Sequence, residues 1–94
     1  MPRYVIERDF GQVSEDDLQE VAARSKVTAS EHFPDIRWEH SHVCAGDDGT
    51  VKSFCVYEAP SAERVQEHAH RVGGHDVINV YEIVGDLTPE EVRV

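Results

Sequence analysis

The sequence predicts an α+β domain in which two helices cover one face of a four-stranded antiparallel sheet. Four segments have the β-branched and aromatic residues and the period-two pattern of strands. Two longer segments have apolar residues at helical spacing and begin at a serine cap. The segments follow one another as strand, helix, strand, strand, helix, strand, which is the ferredoxin-like βαββαβ order. The 94 residues suit one such domain, spanning residues 1–94.

The first strand and helix are bounded by clear local signals. The stretch "RYVIERDF" is rich in β-forming residues, and Gly11 interrupts it. In "SEDD", Ser14 is a good helix N-cap, followed by acidic residues that suit the positive end of the helix dipole. The spacing of the apolar residues predicts a helix from about Glu15 to His32, and Pro34 ends it.

The middle of the chain is predicted to form a hairpin. The stretches "IRWEHSHVC" and "VKSFCVYEA" have strand composition, and "AGDDGT" between them has turn composition. Residues two apart in a strand share a face, so Trp38, His40 and His42 are expected on one side. A turn centred between Asp47 and Asp48 would place His40 opposite Cys55 and Trp38 opposite Tyr57. A slip of one residue would place His40 opposite Val56 instead.

The last third of the chain predicts a second helix and a fourth strand. The helix lies in "APSAERVQEHAHRVGG", with Ser61 as its N-cap and Gly73 at its end. The stretch "HDVINVYEIVG" predicts the strand, and Thr88 with Pro89 predicts a short final turn.

The second face of this sheet has no cover within the chain. We expect it to present Trp38, Tyr57 and Tyr81, so that two copies pack sheet to sheet as a homodimer. Trp38 and Tyr57 are therefore candidates for a dimer interface or a pocket.

The charge of the chain limits its partners. Nine Lys and Arg against nineteen Asp and Glu give a net charge of −10, which repels nucleic-acid phosphates and attracts cations such as divalent metals. The same charge also serves solubility alone. No apolar run of membrane-spanning length is present, and the first residues predict a strand rather than a signal peptide. We expect a cytoplasmic protein whose Cys44 and Cys55 stay reduced.

Six histidines supply nitrogen ligands of the type that zinc, copper, iron and nickel accept. His40 opposite Cys55 would bring an imidazole and a thiol within reach of one soft ion. His42, His68 and the pair His75–Asp76 are further candidates, although His68 and His70 point to different faces of a helix. Each has a plain structural alternative: a hydrogen-bonded or solvated histidine, or a cysteine that packs as a small apolar residue.

Three motifs together resemble a known family. "WEHSHV", "CVYEAPS" and "EHAHRVGG" are similar to the small bacterial nickel-binding, nickel-responsive proteins, and the resemblance extends from "YVIERDF" to "VINVYEI". It implies a ferredoxin-like fold, a homodimer and nickel ions held at the dimer surface. The positions that match its motifs are Trp38, His40, Ser41, Cys55, Tyr57, Glu58 and His68. Here the second helix ends in "RVGGHDV" where the family has an Ala-Gly-Leu-Pro type segment, which adds His75 as a candidate ligand.

Metal binding is therefore the first functional hypothesis. We expect nickel sequestration or a nickel response, with ligands drawn from His40, His42, Cys55, Glu58, His68 and His75. Ligand chemistry alone specifies only a late first-row divalent ion, and nickel comes from the resemblance.

Two alternatives stay open. The first is a small dimeric α/β-barrel enzyme that acts on a small apolar or aromatic molecule, with His40 as acid or base and Tyr57 and Cys55 in the pocket. It requires an apolar cavity of about 300 Å³ or more behind His40, and the sequence has no phosphate loop, HExxH, GxSxG or CxxC motif. The second is a plain interaction domain.

Overall fold

The computed structural model describes all 94 residues and contains the six predicted elements in the predicted order. They are β1 (Arg3–Gly11), α1 (Glu15–His32), β2 (Arg37–Ala45), β3 (Val51–Glu58), α2 (Ala62–Val72) and β4 (Asp76–Ile83). Short 3-10 turns follow β2 at Asp47–Gly49 and lie near the C-terminus at Pro89–Glu91. Neither α1 nor α2 combines the length and hydropathy that a membrane-spanning helix needs.

The four strands form one antiparallel sheet in the order β2-β3-β1-β4. The two helices pack on the same side of it, and the other side is uncovered. This arrangement confirms the predicted ferredoxin-like βαββαβ fold. We call the uncovered side the open face and the other side the helix face.

The helix boundaries follow from local hydrogen bonds. Ser14 Oγ accepts a hydrogen bond from the backbone N–H of Asp17 at 3.1 Å, and Ser61 Oγ accepts one from Arg64 at 3.2 Å. Each cap satisfies a backbone donor that the first turn of a helix leaves free. At the end of α2, Gly73 takes a φ of 69°, a left-handed conformation that favours glycine.

The core lies between the sheet and the helices. Ile6 on β1 and Val65 on α2 are fully buried there, together with Tyr57 on β3. Full burial of an Ile- or Val-sized side chain contributes about 1.5–3 kcal/mol each, so these contacts fix how the helices sit on the sheet. The cluster around them is completed by Tyr4, Phe33, Ile36, Cys55, Ala59 and Ala69.

The register of the hairpin differs from the prediction. Trp38 lies opposite Tyr57 as expected, but His40 lies opposite Val56 and Ser41 opposite Cys55. The predicted pairing of His40 with Cys55 is therefore wrong. The hairpin loop causes this shift, because it contains residues 46–50 rather than four residues. A β-bulge at Glu39 then takes up the extra residue and restores the expected pairing of Trp38 with Tyr57.

The bulge also changes which side chains share a face. Trp38 and His40 lie on opposite sides of the sheet, because Glu39 adds one residue between them. Trp38, Tyr57 and Cys55 lie on the helix face, and Cys55 is only 5% exposed. The expectation that Trp38, Tyr57 and Cys55 look out from the open face is corrected accordingly.

Candidate functional site

His40 and His42 form a pair of exposed imidazoles on the open face of β2. Their ring centroids are 5.2 Å apart and the rings stand edge to face at 78°. The bulge at Glu39 precedes both residues, so the regular alternation after it keeps the two side chains on one side. Two neutral imidazoles at this spacing can supply two nitrogen ligands to one divalent ion.

Carboxylates on the open face are held by basic residues. Glu58 Oε2 lies 3.1 Å from Arg37 Nη1. Glu39 accepts two hydrogen bonds from Arg3, the shorter at 2.8 Å, and these hold the pKa of the Glu39 carboxyl below its usual value. Glu58 shares the open face with His40 and His42, but it lies opposite Arg37 at the far end of β2.

Cys55 and His68 lie away from this pair, beneath the helices. The Cys55 thiol donates to Ser53 Oγ at 3.4 Å within the core. His68 is 0% exposed, and its Nε2–H donates to the main-chain oxygen of Ser25 at 3.1 Å. Burial lowers the pKa of the His68 imidazole. These contacts are those of core residues.

His75 lies at the end of the sheet where α2 runs into β4. Its Nδ1–H donates to the main-chain oxygen of Gly73 at 2.9 Å, and its ring lies 5.3 Å from the ring of Phe10. Burial, helped by the positive charge of Arg8, lowers the pKa of His75 to about 4. Neutral imidazole nitrogen can bind a metal, but His75 is on a different part of the surface from His40 and His42.

The six predicted ligands are thus not gathered into one site. The structure brings His40 and His42 together and leaves Cys55, Glu58, His68 and His75 elsewhere. No three His, Cys, Asp or Glu side chains of this single chain are arranged to hold a metal ion. The imidazole pair is the only part of the predicted ligand set with the geometry of a shared site.

Trp38 and Tyr57 line an apolar cavity of about 80 Å³ between α1 and the sheet. Their rings are stacked, with centroids 6.5 Å apart, and Trp38 Nε1–H donates to Ser41 Oγ at 2.9 Å. Cys55 lines the same cavity, but His40 does not. The enzymatic alternative required an apolar cavity behind His40, but His40 lines none of the four pockets of the structure, and the cavity beside Trp38 and Tyr57 lies on the opposite side of the sheet.

Sequence reasoning missed Arg8, which also lines this cavity and is only 3% exposed. The signal was the alternation in "RYVIERDF": Tyr4, Ile6 and Arg8 are two apart and share the helix face. This spacing places the charged side chain of Arg8 on the same face as two core residues, so its burial was predictable from the sequence.

The fold and the exposed imidazole pair define a small α+β domain of the ferredoxin-like type with two neighbouring histidines on an uncovered sheet. The model of one protein family, described as "Nickel responsive protein SCO4226-like", matches residues 4–83. The chain belongs to this family, as its motifs predicted. No curated protein matches it in sequence.

The solved structures that share its fold include the following two. One is SCO4226 from Streptomyces coelicolor A3(2), which is 21% identical, with a TM-score of 0.67 over 90% of this chain and 99% of that one. The other is the C-terminal domain of the MgtC protein from Mycobacterium tuberculosis, which is 11% identical, with a TM-score of 0.61 over 90% of this chain and 88% of that domain. At these identities the similarity establishes the shared fold.

Proposed function

We propose that this protein binds nickel through His40 and His42 on the open face and serves nickel sequestration or a nickel response. The observation that carries the proposal is the 5.2 Å spacing of the two exposed rings in a chain of the nickel-responsive family. Imidazole is a preferred ligand of nickel and of its neighbours in the first row. The net charge of −10 raises the local concentration of divalent cations around such a site.

Two nitrogens from one chain leave a nickel ion incompletely coordinated. Water and a second copy of the chain supply the remaining ligands in this proposal, and a homodimer formed through the open face gives the simplest arrangement. In a twofold dimer the same patch meets itself, so each copy's imidazole pair lies at or beside the interface. The apolar side chains Val5, Phe54 and Tyr81 on this face support such a contact.

The proposed site responds to acid. A ring nitrogen binds a metal only when it carries no proton, so protons compete with nickel for His40 and His42. Nickel affinity therefore decreases as the solution becomes more acidic.

Isothermal titration with nickel chloride at pH 7.5 tests the proposal. The wild-type protein should release or absorb heat on binding and should unfold at a higher temperature when nickel is present. The double variant His40→Ala/His42→Ala should bind nickel at least tenfold more weakly. The matched control is His32→Ala/His70→Ala, which removes two exposed histidines outside the site and should bind like the wild type.

Three results would contradict the proposal: no binding heat for the wild type, an unshifted unfolding temperature, or equal loss in both double variants. Parallel titrations with zinc and copper measure the preference among ions, because copper binds most nitrogen sites more tightly than nickel does.

A further inference from the structure

Arg8 is a buried cation without an acidic partner. Its side chain points from β1 to the helix face, is only 3% exposed, and donates one hydrogen bond, from Nη2 to Tyr57 Oη at 2.9 Å. The Nε–H is buried and has no acceptor. None of the ion pairs of the protein includes Arg8.

Such a group is costly to the fold. Arginine keeps its charge at any pH that a protein tolerates, so it cannot lower the cost by losing a proton. A buried charge without a counter-ion costs several kcal/mol, and buried cations are therefore normally paired. The guanidinium also lies over the ring of Tyr57, 5.6 Å from its centroid, but the phenol oxygen and the ring are both neutral and leave most of its five donors without an acceptor.

The cavity beside Arg8 can hold the missing partner. Arg8 lines it together with four hydroxyl-bearing residues, Ser25, Ser41, Ser53 and Tyr57. The apolar part of the lining comes from Leu18, Val21 and Ala22 of α1 and from Phe10, Trp38, Val43 and Cys55 of the strands. One wall thus provides hydrogen-bond donors for an anion, and the other suits a short hydrocarbon chain.

We infer that this cavity binds a small monocarboxylate with a short apolar chain, whose carboxylate pairs with Arg8. Arginine and carboxylate form short, charge-assisted hydrogen bonds, and the planar guanidinium can donate two of them in parallel. The apolar chain of the ligand lies against α1 and the ring of Trp38. The site is on the opposite side of the sheet from His40 and His42, so it is independent of the proposed nickel site.

The size of the cavity limits the ligand. A volume of about 80 Å³ corresponds to roughly five to eight water-sized positions, since one water needs about 10–15 Å³ of such space. A carboxylate of about six non-hydrogen atoms, such as butyrate, is of that size. The acidic surface opposes the approach of any anion, so the affinity should be modest, with Kd in the range of about 0.1–10 mM.

Trp38 provides the readout, because it is the only tryptophan of the chain and lines the cavity. The wild-type protein is titrated with sodium butyrate and, separately, with butyramide, a neutral compound of the same size, at constant ionic strength. Butyrate should change the Trp38 fluorescence saturably and raise the unfolding temperature. Butyramide should bind at least tenfold more weakly.

Two variants assign the effect to Arg8. Arg8→Met removes the charge and keeps most of the volume, and it should weaken butyrate binding at least tenfold while leaving nickel binding unchanged. The matched control is Arg3→Met, which removes an arginine of the same strand from the open face and should bind butyrate like the wild type.

The inference is overturned if butyrate produces no saturable change up to about 50 mM, or if butyrate and butyramide act equally. It is also overturned if folded Arg8→Met binds butyrate as tightly as the wild type. If Arg8→Met does not fold, the comparison of the two compounds on the wild-type protein decides the question alone.

Discussion

The Nε2 atom of His68 lies 3.1 Å from the main-chain oxygen of Ser25, and this buried hydrogen bond joins α2 to α1. The imidazole also stands edge-on to Phe33 and Tyr57, with ring centroids 5.3 Å and 5.6 Å away. Nδ1 is buried and has no partner in the protein. His68 therefore connects both helices to the sheet through one aromatic side chain.

Replacement of His68 by alanine should destabilise the fold by about 2–4 kcal/mol, because it leaves a cavity and removes the partner of a buried carbonyl. Urea unfolding followed by circular dichroism measures the change. The exposed neighbour variant His70→Ala should change the free energy of unfolding by less than about 0.5 kcal/mol. Comparable stability in the two variants would contradict the role of His68 in the core.

The two cysteines should differ in reactivity towards a thiol reagent. Cys44 is exposed on the open face and Cys55 is only 5% exposed beneath the helices, and a buried thiol reacts slowly. Ellman's reagent should therefore label one thiol of the native protein rapidly and both in urea. In the Cys44→Ser variant, rapid labelling of the native protein should disappear; rapid labelling there would place Cys55 at the surface.

The elements of the fold were predictable because their signals are local. The caps Ser14 and Ser61 and the stop at Gly73 each act within a few residues, and the structure confirms them. The shared face of His40 and His42 was also predictable, because no bulge separates them.

The register of the hairpin was not predictable in the same way. The bulge at Glu39 is accompanied by a long-range contact, the 2.8 Å hydrogen bond from Arg3 of β1, across the intervening strand β3. The extra loop residue depends on a left-handed backbone at Asp48, with φ 60°. Aspartate tolerates this conformation, but its presence in a sequence does not predict it. One residue of slip was enough to move Trp38 and Cys55 away from His40.

Acid should destabilise the protein through His75. Its pKa is lowered to about 4 by burial, against 6.5 for an exposed histidine, so the unfolded state binds the proton more readily. Between pH 6.5 and about 4, the free energy of unfolding should therefore decrease as the pH falls, whereas above pH 6.5 His75 has no effect. Urea unfolding at several values from pH 7.5 to 5 measures this dependence.

The His75→Gln variant should lose less stability than the wild type over this range. Part of the pH dependence of stability should remain in His75→Gln, because burial also lowers the pKa of His68. His70→Gln is the control and should follow the wild-type curve. Measurements end at pH 5 because two carboxylates add a further loss of stability at lower pH. Arg3 lowers the carboxyl pKa of Glu39, and Arg64 lowers that of Asp35, so protonation of either group in acid destabilises the fold. Identical curves for His75→Gln and the wild type would refute the assignment to His75.

Dimerisation through the open face should depend on its apolar side chains. Tyr81 lies on that face opposite Val5 and is 53% exposed in the single chain, so an aspartate there would put a charge into the proposed interface. Tyr81→Asp should elute as a monomer in size-exclusion chromatography with light scattering, whereas the wild type should have twice the mass of 10.6 kDa. Val27→Asp is the matched control, because Val27 is 52% exposed on α1, and this variant should stay dimeric. A wild-type protein that is monomeric at high concentration, with or without nickel, would contradict the dimer. If Val27→Asp is monomeric and Tyr81→Asp stays dimeric, the interface lies on the helices rather than on the open face.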